Sequence, residues 1–246
     1  MNAIRRAWLV IPLLAGAEPP KPDEKPRYET RRDHDPDGIG KFYMGREIAQ
    51  VMGYQAAGWL DRPEREKEEQ CSKLLEALKF KPGDVVADVG AGSGYYTFRI
   101  AGRVGEEGKV LAVDIQQQML DIINKRKAEK KAKNVEAILG TITDPKLPPA
   151  GVDLILLVDV YHEFSHPYEM TVEMVKSLKT GGRIVFVEYR LEDAKVPIKL
   201  VHKMTQRQVI KEMTPFPLRY IGTDDVLPWQ HVITFEKVAK AAGDGK

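Results

Sequence analysis

His162, Glu163 and His166 stand in the run H-E-F-S-H. This is the spacing by which a zinc hydrolase holds its metal: two imidazoles one helical turn apart grip the ion, and the carboxylate takes a proton from bound water. That chemistry requires both rings on one face of a continuous helix. Pro167 follows at once, and proline is favoured at a first helical position while pushing the residue before it out of helical geometry. The two histidines are therefore expected in a loop that enters a helix, and metal-dependent hydrolysis becomes the minor reading. A loop can still gather Asp159, His162, Glu163 and His166 around an ion, but no metal ligand set is assigned from the spacing. With Cys71 as the only cysteine, a cysteine-based zinc cluster and an internal disulfide are both excluded.

A second constellation lies upstream. Asp88, Gly90, Gly92 and Gly94 follow one another as D-x-G-x-G-x-G directly after an apolar run. A dinucleotide fingerprint needs a third glycine at 95 or 97, where this chain has Tyr95 and Thr97, so the nicotinamide pattern is not met. Closely spaced glycines still let main chain approach a ligand without Cβ clashes. Asp114 ends the next apolar run, and a carboxylate there accepts hydrogen bonds from both hydroxyls of a ribose. Together they point to an adenosine compound.

The elements that must position these groups alternate in type. The runs "DVVADVG", "KVLAVDI", "VEAILG", "VDLILLVDV" and "GRIVFVEY" are β-branched and almost continuously apolar, as parallel strands covered on both faces require. Between most of them lie helical stretches such as "YYTFRIAGRV", "QQQMLDIINKRKAEKKA" and "PYEMTVEMVKSLKT", each long enough for a crossover. A helix over "TQRQVIKEMT" and two closing strands, "LRYIGTDDVLP" and "WQHVITFEKV", complete the expected fold. It is an α/β, doubly wound, mostly parallel seven-stranded sheet with helices on both faces, spanning 81–240. Residues 41–80 are expected to form an N-terminal helical lid that includes a long amphipathic helix over "DRPEREKEEQCSKLLEALKF". Cys71, Leu74, Leu75 and Leu78 recur at helical spacing, which reads Cys71 as a small buried apolar residue.

Four stretches, "VVADVGAGSGYYTFRIA", "VLAVDI", "LPPAGVDLILLVDVYHEF" and "LKTGGRIVFVEYR", resemble the successive motifs of class I S-adenosylmethionine-dependent methyltransferases. The resemblance implies S-adenosyl-L-methionine as cofactor and in-line transfer of its methyl group to an acceptor. It implies that Gly90, Gly92 and Gly94 line the methionine half of the cofactor, and that Asp88 anchors the loop or meets the ammonium group. It further implies that Asp114 holds the ribose, Ile115 lies against adenine, Thr141 or Asp144 meets the adenine edge, and Asp159 meets the amino acid end. His162 and Glu163 then face the acceptor, and a neutral histidine suits removal of an acceptor proton near pH 7. A histidine bonded to loop backbone is the competing role for His162. Glu188, Tyr189 and Arg190 point to the same cleft, and Tyr43, Arg46, Tyr54 and Trp59 are the lid's contact groups.

Charge narrows the acceptor. Lys+Arg 38 against Asp+Glu 36 is too balanced for the positive field that gathers nucleic acid, so the partner expected is a small molecule. At the amino terminus, "MNAIRR", "AWLVIPLLAGA" and the small residues Ala15-Gly16-Ala17 read as an export signal over 1–17. The proline-rich and charged residues 18–40 then read as a flexible linker. Apart from that signal, no stretch is read as crossing a membrane. Export sits awkwardly with a cofactor made in the cytoplasm, so an exported module that binds the adenosine compound without turnover is the alternative.

Overall fold

The computed structural model describes residues 27–239. The export segment expected over 1–17, and the start of the linker expected over 18–40, lie outside these residues. The rest of that linker is not a tether. Strand β1 (Tyr28–Thr30) pairs antiparallel with β2 (Gly38–Tyr43), which pairs antiparallel with β3 (Arg46–Ala49). Tyr43 opposes Arg46 across the two-residue turn Met44-Gly45, and both turn residues have positive φ, 49° and 91°. Such turns match the twist of the strands they join. Methionine is an unusual occupant, which is why the hairpin escapes a reading based on turn residues.

The helical lid expected over 41–80 is accordingly helical only from Tyr54 onward. A 3-10 turn at Tyr54–Ala56 leads to α1 (Ala57–Leu60), α2 (Arg65–Glu69) and α3 (Cys71–Ala77). The single long helix expected here is broken at Gln70, which has left-handed backbone, φ 51° and ψ 47°. The break lets the two halves face different partners. Arg65 turns toward a cavity described below with Glu69 bonded behind it, while Cys71, Leu74 and Leu75 are buried in the core.

From there strands and helices alternate: β4 (Val85–Val89), α4 (Tyr95–Val104), β5 (Lys109–Asp114), α5 (Gln117–Lys130), β6 (Val135–Leu139) and β7 (Val152–Val158). They are followed by α6 (Pro167–Ser177), β8 (Leu178–Tyr189), α7 (Gln206–Met213), β9 (Leu218–Asp224) and β10 (Gln230–Lys237). The seven strands stand in the order β6-β5-β4-β7-β8-β10-β9, with β10 alone running antiparallel to its neighbours. Val86, Val110 and Leu154 pack on one face with residues of α3, α4 and α5; Ala87, Leu111 and Ile155 pack on the other with residues of α6 and α7. Burial on both faces is what the near-continuous apolar runs encode. Among the described residues no helix is long and apolar enough to cross a membrane.

Strand order determines where a ligand can sit. The chain moves outward from β4 to β5 to β6, then returns to place β7 on the opposite side of β4. Such a reversal opens a crevice beyond the carboxyl ends of the two central strands. The glycine loop after β4 and the loop carrying His162 after β7 therefore face each other.

Candidate active site

Gly90, Gly92 and Gly94 all adopt positive φ, 75°, 54° and 81°. At Gly90 the need for glycine is steric as well, since a Cβ there would stand 2.4 Å from Val160 Cγ2. The Gly90 and Ala91 amides both donate to the Val113 carbonyl, at 2.8 and 2.9 Å. Asp88 is buried behind the loop and accepts a 2.6 Å hydrogen bond from the Thr97 hydroxyl of α4. Asp88 thus ties the end of β4 to α4, and it is not among the residues that line the cavity described next. Burial pushes its pKa up to about 6, against the partial pull of that hydroxyl.

Asp114 meets the loop from β5. One carboxylate oxygen accepts from the Gly92 amide at 2.9 Å and the other from the Gln116 amide at 2.9 Å. Each oxygen keeps further acceptor capacity. Burial raises this carboxyl's pKa, and the Gln116 and Gly92 amides oppose the rise.

These groups border a cavity of about 520 Å³. Gly90, Gly92, Asp114, Ile115, Asp159, His162, Glu163 and Tyr189 all line it, together with Trp59 of α1's turn. Gly94 does not line it; a Cβ there would meet Phe98 at 2.9 Å, so its freedom serves the entry into α4. Thr141 and Asp144, expected at an adenine edge, close on each other instead. The Thr141 amide donates to the Asp144 carbonyl at 2.8 Å, and the Asp144 carboxylate takes the Lys146 ammonium at 2.6 Å. Ile142, between them, is the residue that reaches the wall. Tyr43, Arg46 and Tyr54 likewise stay off the wall, where Val51, Met52 and Leu60 stand. Gln116 fastens this lid, donating to the Met52 carbonyl at 3.0 Å and accepting from the Tyr54 amide at 2.9 Å.

The cavity wall also carries charged groups. Asp159 has φ 51°, in the left-handed region that aspartate tolerates better than most residues with a side chain. Its carboxyl is buried; one oxygen accepts from Gln230 at 3.2 Å and the other has no partner among the described residues. Burial raises its pKa well above the usual carboxylate range, and Glu69 and Glu188 add to the rise while Arg65 opposes it. Arg65 lines the same cavity, bonded to Glu69 at 2.9 Å and to the Leu60 carbonyl at 2.8 Å, with its guanidinium 4.4 Å from the Tyr95 ring centroid. In sequence Arg65 sits in "PEREKEEQ", which reads as a solvated face; only burial distinguishes it.

His162 occupies a 3-10 turn, Tyr161–Glu163. Its Nδ1 lies 2.6 Å from the Glu188 carboxylate, whose second oxygen accepts from the Tyr161 amide at 2.9 Å. Burial lowers the pKa of His162, but the Glu188 charge and hydrogen bond outweigh it and the net displacement is upward. Glu163 is pushed up to about 7 by burial, with His162 pulling the other way. His202 Nδ1 lies 3.2 Å from His162 Nε2. Its pKa is lowered by burial and by His162. His202 went unrecognised in the sequence, because forty residues of separation form no motif. His166 is directed elsewhere. It immediately precedes α6, which begins at Pro167, and its ring packs edge-on against Tyr28 at 5.9 Å. The H-E-x-x-H hydrolase arrangement is therefore absent.

Residues 80–234 match the family described as "Methyltransferase domain". The chain belongs to this family, the S-adenosylmethionine-dependent methyltransferases. It is 30% identical over 177 residues to a demethylmenaquinone methyltransferase of Symbiobacterium thermophilum, covering 72% of this chain and 64% of that one. A demethylmenaquinone methyltransferase of Lactococcus lactis is 26% identical over 147 residues, 59% of this chain and 56% of that one. The chain thus spans less than two thirds of the length of these relatives. The crystal structure of a SAM-dependent methyltransferase from Aquifex aeolicus superimposes with a TM-score of 0.72 at 24% identity, over 76% of this chain and all of that one. The [4+2]-cyclase SpnF shares the fold at a TM-score of 0.60 and 14% identity, over 70% of this chain and 81% of that one. Fold alone therefore does not set the reaction.

The methyltransferase cofactor, S-adenosylmethionine, suits this crevice chemically. Gly90 and Gly92 bring bare main chain to the cavity wall, Asp114 beside them keeps acceptor capacity on both oxygens, and one buried Asp159 oxygen has no hydrogen-bond partner among the described residues.

Proposed function

We propose that this methyltransferase methylates a small aromatic acceptor of the reduced-quinone class, one that carries an ionisable hydroxyl. The observation that carries the reading is that Asp114 and His162 line one and the same cavity. Much of the remaining wall is apolar, with Val51, Met52, Phe164 and Ile198 in it, which suits a flat ring rather than a phosphate or sugar. The names of the curated relatives point to the same acceptor class.

In this reading Asp114 holds the ribose, Asp159 the ammonium group, and Arg65 the carboxylate of the bound cofactor. When bound, the sulfonium supplies an electrophilic methyl group: its S–CH3 bond breaks as the bond to the acceptor forms, leaving a neutral thioether. The protein's task is alignment and proton removal. With Nδ1–H directed at Glu188, His162 presents Nε2 as the acceptor for the hydroxyl proton, and Glu188 stabilises the imidazolium that results. His162→Ala is expected to cut transfer from methyl-labelled S-adenosylmethionine to a reduced naphthoquinone by roughly 100-fold, the scale of general-base catalysis, with cofactor affinity unchanged. Absence of labelled product from the wild-type protein across a panel of reduced quinones would overturn the acceptor class. Equal turnover by the variant would remove His162 as the base.

A further inference from the structure

His162, Glu163 and His202 converge on the cavity wall in a way that proton transfer alone does not require. His162 Nε2 and His202 Nδ1 are 3.2 Å apart, and the Glu163 carboxylate oxygen lies 3.9 Å from the first and 3.8 Å from the second. These three atoms form the one group of metal-ligating side chains gathered within 4.8 Å among the described residues. All three residues line the cavity. A triangle with those sides has a point about 2.1 Å from every corner, which is the bond length of a divalent transition metal to imidazole nitrogen or carboxylate oxygen.

We propose that His162 Nε2, Glu163 Oε1 and His202 Nδ1 bind one divalent transition-metal ion that holds the acceptor's hydroxyl oxygen. The ligand set, two imidazoles and one carboxylate with open positions toward a cavity, is that of a reactive rather than a structural metal site. Its support is already built. Glu188 accepts from His162 Nδ1–H at 2.6 Å, which fixes the tautomer that leaves Nε2 free for an ion. The Met52 amide donates to the Glu163 carboxylate at 3.3 Å, a bond that leaves lone pairs on the same group for metal. Three protein ligands leave room for an incoming oxygen, whose proton passes to solvent as it binds. In the loaded state the ion takes over from the His162 ring the task of drawing the acceptor toward its ionised form.

The ligand geometry stands without any assumption about turnover, whereas the ion's role rests on the methyl-transfer reading above. The test separates them. Full-length protein is stripped with a chelator, dialysed and titrated with cobalt(II), whose visible absorption reports nitrogen and oxygen ligation, then back-titrated with zinc. S-adenosylmethionine binding is followed in parallel by calorimetry. One equivalent of cobalt is expected in the wild type. In His202→Ala and in the milder Glu163→Gln, affinity is expected to fall more than ~10-fold, with Glu188→Gln falling in the 10- to 100-fold range typical of outer partners. Retained cofactor binding shows that each variant is folded. Absence of a stoichiometric cobalt spectrum in the wild type, or equal cobalt affinity in all the variants, overturns the metal site and leaves methyl transfer standing. Cobalt binding without cofactor binding supports the site and removes the methyl-transfer reading.

Discussion

The Gly92 amide donates to the Asp114 carboxylate at 2.9 Å, so the main chain of the glycine loop and the acid at the end of β5 form one unit. Asp114 thereby shapes the crevice as well as offering itself to a ligand. Asp114→Ala removes the loop's acceptor and the proposed ribose contact together. Charge-assisted hydrogen bonds contribute about 1.5–3 kcal/mol each, so affinity for S-adenosylmethionine is expected to fall ~10- to 100-fold or more in calorimetry. Affinity within experimental error of the wild type would remove the ribose role.

Gly90 tests the close approach of the two loops. Alanine there must adopt a φ of 75° and place its Cβ 2.4 Å from Val160 Cγ2. Left-handed backbone costs about 1–2 kcal/mol and forced overpacking about 1–3 kcal/mol. Gly90→Ala is expected to lose on the order of 3 kcal/mol of stability in urea unfolding, and Val160→Ala in the same chain is expected to restore part of it. No coupling between the two substitutions would mean that the loops do not press on each other as described.

Arg46 links the N-terminal sheet to the loop that carries His162. Its guanidinium makes two bonds to the buried Glu212 carboxylate, at 2.9 and 3.1 Å, and a third to the His162 carbonyl at 3.0 Å. Arg46→Ala strands Glu212 in the interior, a change that costs about 3–5 kcal/mol when a buried pair is broken. Arg46→Lys keeps charge but loses the forked geometry, and is expected to fall between. Destabilisation under ~1 kcal/mol for Arg46→Ala in chemical unfolding would show that the sheet is not anchored through this pair.

Asp88 gives stability a pH dependence. Its pKa is raised to about 6 in the folded protein from an ordinary 3.8, so between these values the native state holds a proton that the unfolded chain has released. Stability from this group is present at low pH and lost as pH rises through 6. The loss approaches ~3 kcal/mol. Asp88→Asn cannot ionise, so its stability relative to the wild type is expected to rise between pH 4 and pH 6 to 7, then level off. A flat or falling difference over that window contradicts the assignment.

The parallel core was legible because β4, β5 and β7 are covered on both faces and must be apolar throughout, a demand that leaves few alternatives. The pairing of the glycine loop with Asp114 was legible because close main-chain approach restricts residue type at fixed distances from a strand, and the Gly92 amide does meet the Asp114 carboxylate. The hairpin at 38–49 was not, since its turn places Met44 at positive φ, where no turn residue announces it. Arg65 and His202 were hidden for another reason. Each reaches the cavity through tertiary packing, and neither lies at a spacing that local periodicity can detect. Pro167 worked in the other direction: one proline was enough to separate His166 from His162.

The most direct measurement is a crystal structure of the protein with S-adenosylhomocysteine, the demethylated product. The nucleoside is expected in the crevice above the β4 loop, with its ribose hydroxyls on Asp114 and its ammonium group at the free oxygen of Asp159. Density for the product at any other place on the surface, with that crevice empty or filled by side chains, would contradict this placement.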